Sequence, residues 1–250
     1  MTRASPVTKF SMMKTRFASK GFILLLVLAG LTGCASGPNL HPQDPLEPLN
    51  RGVYRFNEGV DQAVLKPVAI TYQKNVPTPV RMGVQNFFGN LRDLWSAMNA
   101  TLQLKPQEAV ENFMRFNVNT LLGLGGVIDI ATEMDIPKTP LDFGLTLGHW
   151  GVPAGPYVVL PLLGPSSVRD AVGLVVDQQG DWVSQDLNHT RTRNTLQLVR
   201  VVDTRANLLR VSDMLDEIAL DKYSFVRDSY LQRRQSQIQS EEDAVWEEEQ

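Results

Sequence analysis

The stretch Gly148–Ser167, GHWGVPAGPYVVLPLLGPSS, combines four prolines and four glycines with aromatic and aliphatic residues and contains no Asp, Glu, Lys or Arg. Residues that break helices usually occur in polar surface loops, where water satisfies the free backbone groups. The charge-free run extends over 26 residues, from Phe143 to Val168, but its prolines forbid a continuous helix. Non-helical backbone is tolerated at membrane depth only where protein buries it or where it lines a water-filled cavity. The stretch therefore predicts a re-entrant hairpin or a channel wall.

The N-terminus predicts export and lipid attachment. Five basic residues and no acid precede the apolar run Gly21–Leu31, which is the order of a signal peptide. Cys34, the only cysteine, follows Leu-Thr-Gly and resembles the acylated cysteine of a bacterial lipobox, although a free thiol or an intermolecular disulfide is the alternative. Ala35 after it favours the outer membrane. We expect a signal peptide at residues 1–33, with Met12 or Met13 as alternative starts, and a tether at 34–43.

Composition excludes several classes of protein. Without residues 1–33 the chain keeps 19 of its 24 Lys and Arg residues against 27 Asp and Glu, a formal charge of −8. Nucleic-acid binding needs clustered positive charge, and none is visible in the sequence. One cysteine cannot form a disulfide framework or a thiolate metal site. We expect no nucleic-acid partner, no metal and no cofactor.

Amphipathic helices account for most of the mature chain. Two short helices are predicted between Asp44 and Pro77, and the clearest helix covers Gly83–Leu104, with one apolar arc opposite a face rich in Asn and Gln. By itself the stripe favours a core-facing helix, and the alternative is a helix lying in a membrane plane. A following helix from Pro106 carries Asn117 inside its apolar arc, where a satisfied core amide is the ordinary interpretation.

The C-terminal part predicts further helices and a charged end. One helix covers Leu196–Leu209, with Arg205 in the middle of its apolar arc, and a second covers about Ser212–Arg233. We expect the membrane domain to span residues 44–233. The acidic segment 234–250 is predicted to be a disordered tail.

Catalytic patterns are weak. His149, Ser166 and Asp142 are near in sequence, but no G-x-S-x-G elbow accompanies them, so a lipid hydrolase is only an alternative. Asp129 and its neighbouring acids leave a helix end, where solvation is more common than metal binding. We expect no enzyme activity.

Four ordered blocks carry a resemblance to a known family. They are DPLEPLNRGVYRFN (44–57), NFFGNL (86–91), NTLLGLGGVIDIA (119–131) and FGLTLGHWGVPAGPYVVLPLLGPSSVRD (143–170), with weaker matches at 203–209 and 221–233. Together with the lipobox they resemble the MlaA (VacJ) family of outer-membrane lipoproteins. The resemblance covers nearly the whole mature chain.

That resemblance implies a mainly α fold, a ring of amphipathic helices in the membrane plane around a central lipid channel, with the Gly/Pro-rich hairpin at its mouth. It implies removal of mislocalised phospholipid from the outer leaflet, with a trimeric porin and the periplasmic carrier MlaC as partners. A porin-bound structural lipoprotein is a further alternative.

Candidate channel and hairpin residues follow from the same blocks. Arg205 could meet a lipid phosphate, but an internal ion pair with Asp129 or Asp170 is favoured, because buried charges are usually paired. The glycines of the hairpin are expected to allow opening and closing. The full candidate set is Asn50, Phe56, Asn57, Asn117, Gly148, Gly151, Gly155, Tyr157 and Arg205.

Overall fold

The computed structural model describes the backbone of residues 41–181 and 190–248 and the side chains of residues 41–181 and 190–239. The predicted signal peptide, Cys34 and most of the tether lie outside these residues. Within them the fold is mainly α, as predicted, with one two-stranded sheet.

The N-terminal helices begin at prolines. Helix α1 (Glu47–Val60) has Pro48 in its first turn, where the missing amide costs no helical hydrogen bond. A single π-helical turn, Asp61–Leu65, joins it to α2 (Lys66–Asn75), which starts in the same way at Pro67. The two predicted helices are confirmed, and a π turn connects them instead of an open break.

Helices α3 (Thr78–Leu102) and α4 (Pro106–Leu121) form an antiparallel pair. Asn90 on α3 donates to the hydroxyl of Thr120 at 2.9 Å, whereas Arg115 on α4 reaches the carboxylate of Asp93 at 3.4 Å. Because later positions on one helix meet earlier positions on the other, the two helices run in opposite directions.

The charge-free run contains both a helix and the predicted hairpin. The short helix α5 (Ile130–Glu133) precedes it. Helix α6 (Phe143–His149) occupies the start of the run and leads into an extended segment. Strand β1 (Tyr157–Leu160) then pairs antiparallel with β2 (Gly164–Ser167). The hairpin is confirmed, but the run is not wholly non-helical, because its prolines begin only at Pro153.

Helix α7 (Val168–Gln179) follows the hairpin without a loop. Ser167, the last residue of β2, is its N-cap and accepts from the amide of Asp170 at 3.1 Å. The hairpin and α7 are therefore fixed to each other at the base of the hairpin.

The C-terminal helices differ in extent from the predicted ones. Helix α8 covers Thr190–Ile218 and α9 covers Lys222–Glu248, so the chain turns at 219–221, not near Ser212. The predicted domain boundary at Arg233 is wrong, because α9 continues through it and Arg234 is buried with two acidic partners. Residues 234–248 are thus helical, where a disordered tail was predicted.

The pattern of side-chain burial in this fold differs from that of a water-soluble protein with an apolar core. Among the described residues, buried polar and charged side chains outnumber buried apolar ones, while many large apolar side chains are exposed. On α3 the buried face carries Asp93, Ser96 and Asn99, whereas Met98 and Leu102 of the predicted apolar arc are about half exposed. The core-facing interpretation holds only for the N-terminal part of the arc, where Phe88 is buried; at the C-terminal end the polar face is the one that packs inside the protein.

Helix α8 is mixed. Asp203 and Ala206 are buried, and of the predicted apolar arc Leu209 is buried whereas Leu198 and Leu208 are exposed. The apolar clusters inside the protein are small, the largest centring on Tyr157, Val159 and Tyr223. No helix in the described ranges is long and apolar enough to cross a membrane.

Candidate functional site

Two asparagines of α1 hold the hairpin through its backbone. Asn50 donates to the carbonyl of Tyr157 at 3.0 Å and accepts from the amide of Val159 at 2.9 Å. Asn57 repeats the pattern two helical turns later, with the carbonyl of Leu160 at 3.0 Å and the amide of Leu162 at 2.8 Å. An amide side chain suits this role because it donates and accepts at once.

Through these contacts α1 covers the edge of β1 that does not pair with β2. The N-terminal block thus packs against the hairpin. A strand edge that is bonded in this way cannot pair with another chain.

Asp44 and α9 close the other side of the same unit. The fully buried Asp44 accepts from Asn50 at 2.8 Å and from the hydroxyl of Tyr223, and it lies 3.4 Å from the guanidinium of Arg227. Burial, followed by the bond to Asp44, raises the pKa of Tyr223 far above its ordinary value. The N-terminal block, the hairpin and α9 therefore share one polar network.

Tyr157 and Phe56 do not line a common channel. Tyr157 is fully buried and packs edge-on against Tyr223 and Tyr230, at centroid distances of 6.3 and 6.0 Å. Phe56 is exposed on α1. Tyr157 is a hairpin residue that the aromatic cluster below the hairpin encloses.

An ion network fixes the base of the hairpin. Arg234 donates to Asp170 at 3.0 Å and to both oxygens of Asp142 at 2.7 and 2.9 Å, and Arg169 bonds to Asp170 at 2.9 Å. Burial would raise the pKa of Asp170, but hydrogen bonds from Arg234, Tyr230 and Arg169 outweigh it and lower the pKa to about 2. This network joins α6, α7 and α9.

The three hairpin glycines have different roles. Gly151 and Gly155 have φ of 81° and 68°, a backbone conformation that glycine adopts without strain. Gly148 is in a helix, and a Cβ there would lie 2.7 Å from atoms of Arg169 and Ile238. Gly148 is therefore required for close packing, which corrects its prediction as a hinge.

Arg205 forms the internal ion pair that was favoured, but with a different partner. Its guanidinium bonds to both oxygens of Asp61, in the π-helical turn, at 2.6 and 2.8 Å. Asp129 is bound by Arg115 instead, and Asp170 belongs to the hairpin base. The choice of Asp129 or Asp170 is wrong because both acids have nearer cations.

Asn117 is half-buried and donates to the carbonyl of Phe113 at 2.7 Å, one turn back on its own helix. It is not a core amide. The buried asparagines of α4 are Asn112 and Asn119, and Asn119 bonds to Asp129 at 2.9 Å.

Ser166 is an element of the hairpin and not a presented nucleophile. Its hydroxyl is buried and donates to the carbonyl of Ser167 at 3.2 Å, and its backbone pairs with Val158. His149 lies at the end of α6 with its ring against Trp150. The serine therefore carries no support for a hydrolase.

Two cavities that the sequence did not reveal lie along α3. The polar cavity, of about 610 Å³, lies between α3, α7, α8 and α9, and its lining includes Arg92, Trp95, Lys138, Asp177, Arg200 and Arg233. The apolar pocket, of about 490 Å³, lies at the start of α3 against α8 and includes Val80, Val84, Phe87, Phe88, Leu196 and Val199. One face of the molecule thus offers a charged space beside an apolar one.

The family model for the MlaA lipoprotein matches residues 42–237 of the chain. The chain belongs to the MlaA family. The matched range includes α1, both cavities, the hairpin and Arg234 on α9, so the polar network around the hairpin lies wholly inside the family domain.

Several curated relatives share this family range. The chain is 40% identical over 213 residues to proteins of Shigella flexneri and Escherichia coli named "Intermembrane phospholipid transport system lipoprotein MlaA", covering 81% of this chain and 82% of each relative. A Haemophilus influenzae protein of the same name is 34% identical over 86% of this chain and 88% of its own length. A solved MlaA-like structure, described as a structural basis for maintenance of bacterial outer membrane lipid asymmetry, matches with a TM-score of 0.64 and 37% identity over 78% of this chain and 98% of its own.

Proposed function

We propose that this protein is an outer-membrane lipoprotein that removes mislocalised phospholipid from the outer leaflet and delivers it towards the inner membrane. The single observation that carries the proposal is the burial pattern of α3. Its polar face is buried, while Met98 and Leu102 at the C-terminal end of its apolar arc are exposed, which suits a helix with lipid on one side and polar partners on the other.

The polar interior matches what lipid movement requires. A phosphate left unpaired in hydrocarbon costs many kcal/mol, so a headgroup needs polar partners throughout its path. The uncharged amides on α3, with Asn99 and Gln103 both bonded to Thr146 of α6, form a polar interior without a strong electrostatic trap. The names of the curated relatives, which refer to intermembrane phospholipid transport, support the same function.

The finer parts of the proposal concern anchoring and partners. Cys34 carries the lipid anchor, and the protein lies on the periplasmic face of the outer membrane. The helices form a ring around a channel, a trimeric porin holds that ring in place, and MlaC accepts the lipid. The protein itself performs no chemical step.

A deletion strain tests the function. Loss of the gene should expose phospholipid on the cell surface and sensitise cells to SDS with EDTA, and the wild-type gene should reverse both effects. Surface labelling of phosphatidylethanolamine with a membrane-impermeant amine reagent measures the first effect. Unchanged labelling in the deletion strain would contradict transport and leave a structural lipoprotein as the better explanation.

A further inference from the structure

Each acid that lines the polar cavity has a hydrogen-bond or ion-pair partner, but two of the cavity's cations form no ion pair with any described residue. Asp93 is bound by Arg115 and Lys138, at 3.4 and 3.1 Å. Asp177 accepts from the indole of Trp95 at 2.7 Å. The remaining lining acids have partners as well, since Asp142 binds Arg234 and Asp181 binds Arg200.

Among the described residues, Arg92 and Arg233 form no ion pair. Arg200 uses one terminal nitrogen for Asp181, at 2.9 Å. Its other nitrogens have no hydrogen-bond partner in the described part of the chain. Within the described residues the cavity therefore has spare guanidinium donors, and its one carboxylate without a cation, Asp177, is bonded by Trp95 and by the amide of Phe143.

Arg92 projects into the cavity. Its side chain is exposed, yet burial in the surrounding protein, followed by the charge of Arg200, lowers its pKa. A side chain that projects into a cavity is accessible to solvent and at the same time surrounded by protein, which accounts for both the exposure and the lowered pKa of Arg92. The charge of Arg200 acts on Arg92 more strongly than that of the adjacent Asp93, so an anion beside both guanidinium groups would be stabilised.

The apolar pocket lies close to the polar cavity, although no residue lines both. Arg200 links the two, because its guanidinium lies over the ring of Phe88, 5.8 Å from the centroid. Along α3 the apolar lining is centred near Val84 and the polar lining near Asp93, which at 1.5 Å per residue are roughly 14 Å apart. A ligand that fills both spaces must carry an anion at one end and a long apolar group at the other.

We infer that the polar cavity binds the phosphate of a phospholipid headgroup through Arg92 and Arg200, while an acyl chain of the same lipid occupies the apolar pocket. This inference rests on the proposed function and assigns the site within it. Guanidinium groups suit the task because their planar donors match two phosphate oxygens at once. Arg233 lies on the cavity wall as an additional source of positive charge.

The test measures binding of a chain-labelled phosphatidylglycerol to the full-length lipoprotein in mild detergent. Arg92→Gln and Arg200→Gln should each weaken binding about ten-fold, the usual effect of losing a hydrogen bond to a charged group. Arg92→Lys should fall between, since it keeps the charge and loses the paired donors. Arg210→Gln, an exposed change on the same helix as Arg200, is the matched control and should bind as the wild type does.

Two further measurements distinguish the ligand source from a folding defect. Inorganic phosphate should fail to displace the lipid at millimolar concentration, and Val84→Asn in the apolar pocket should weaken lipid binding several-fold. Because Arg92 has no ion pair to lose, Arg92→Gln should melt at or above the wild-type temperature without lipid. A phosphate affinity equal to that of the lipid, with the same arginine dependence, would overturn the assignment to a lipid.

Different results would contradict the headgroup site and the proposed transport function. If the wild type binds phospholipid and both glutamine variants bind equally well, the headgroup site lies elsewhere and only this inference is wrong. If the wild type binds no phospholipid, the proposed transport function fails as well.

Discussion

The base of the hairpin and the polar cavity both hold charged groups inside the protein, but only the first balances them. At the hairpin base, Asp170 and Asp142 meet Arg169 and Arg234 within hydrogen-bonding distance. The cavity shares Asp142 and Arg234 with that base, and there Arg92 forms no ion pair with any described residue.

The difference indicates which charged groups inside the protein stabilise the fold and which are available to bind a ligand. A buried ion network with every member paired fixes helices to one another, and removing one member leaves an uncompensated charge. Cations without a partner contribute no such rigidity and instead favour a ligand. The variants below test whether the hairpin base is structural in this sense, in order of expected effect.

The largest effect is expected for Asp170→Asn. Loss of this carboxylate leaves Arg169 and Arg234 short of a counter-charge, which should lower the free energy of unfolding by about 3–5 kcal/mol. Thermal unfolding in detergent, followed by near-UV circular dichroism, measures it. The matched control is Asp213→Asn, an exposed partner of Lys66 at 2.8 Å, which should cost less than about 1 kcal/mol. Equal losses in the two variants would contradict the structural role.

Acid should weaken the same network. The pKa of Asp170 is lowered from 3.8 to about 2, so its stabilisation is fully present above pH 3.8 and is lost as the pH falls through 2. The shift corresponds to about 2 kcal/mol. Between pH 5 and pH 2 the wild type should therefore lose about 2 kcal/mol more stability than Asp170→Asn. An identical pH dependence of the two proteins would argue against an ionised Asp170.

The next effect concerns the two asparagines that hold the hairpin. Asn50→Leu should cost about 2 kcal/mol, because it leaves buried backbone groups of Tyr157 and Val159 unsatisfied. Asn57→Leu should cost about 1 kcal/mol, since its partners are closer to solvent. Amide hydrogen exchange of β1 should quicken more in the first variant. Faster exchange in the Asn57 variant would reverse the assigned order.

An effect on stability similar to that of the asparagine variants is expected for Gly151→Val. The φ of 81° disfavours valine by about 1–2 kcal/mol, but no atom lies within 4 Å of the added Cβ, so no clash follows. We expect slower phospholipid transport with the fold intact. Gly125→Val, at a φ of 74° and equally open, carries the same backbone cost outside the hairpin. Equal transport by the two variants would contradict a gating role for the hairpin.

The sequence predicts the elements of this fold better than their orientation. Charge-free length and Pro/Gly spacing predict the hairpin, and the apolar arc predicts a helix at α3. The arc does not tell which side faces solvent, because a hydrophobic stripe is the same in a water-soluble core and at a lipid surface. The burial of Asp93 and Asn99 shows that the polar face of α3 points into the protein.

The ion pairs and the cavity lining of the site are formed by residues far apart in the sequence, and hydrophobic periodicity does not predict such contacts. Arg205 meets Asp61 from 144 positions away, and Arg234 reaches Asp142 from 92. The polar cavity draws its lining from α3, α7, α8 and α9 together. Family resemblance identifies the hairpin and the N-terminal block, whereas the pairing of each charge requires the three-dimensional structure.

The central claim is that the outward apolar faces contact lipid while the polar faces do not. Cys34 is the only cysteine, so spin labels on cysteines introduced at Met98, Leu121 and Leu208 can be placed one at a time in the protein reconstituted in vesicles. Accessibility to oxygen is compared with accessibility to a water-soluble nickel chelate, with the exposed polar Gln73 as the control position. We predict high oxygen and low nickel accessibility at the three apolar positions and the reverse at Gln73. Nickel accessibility at the apolar positions as high as at Gln73 would contradict the account.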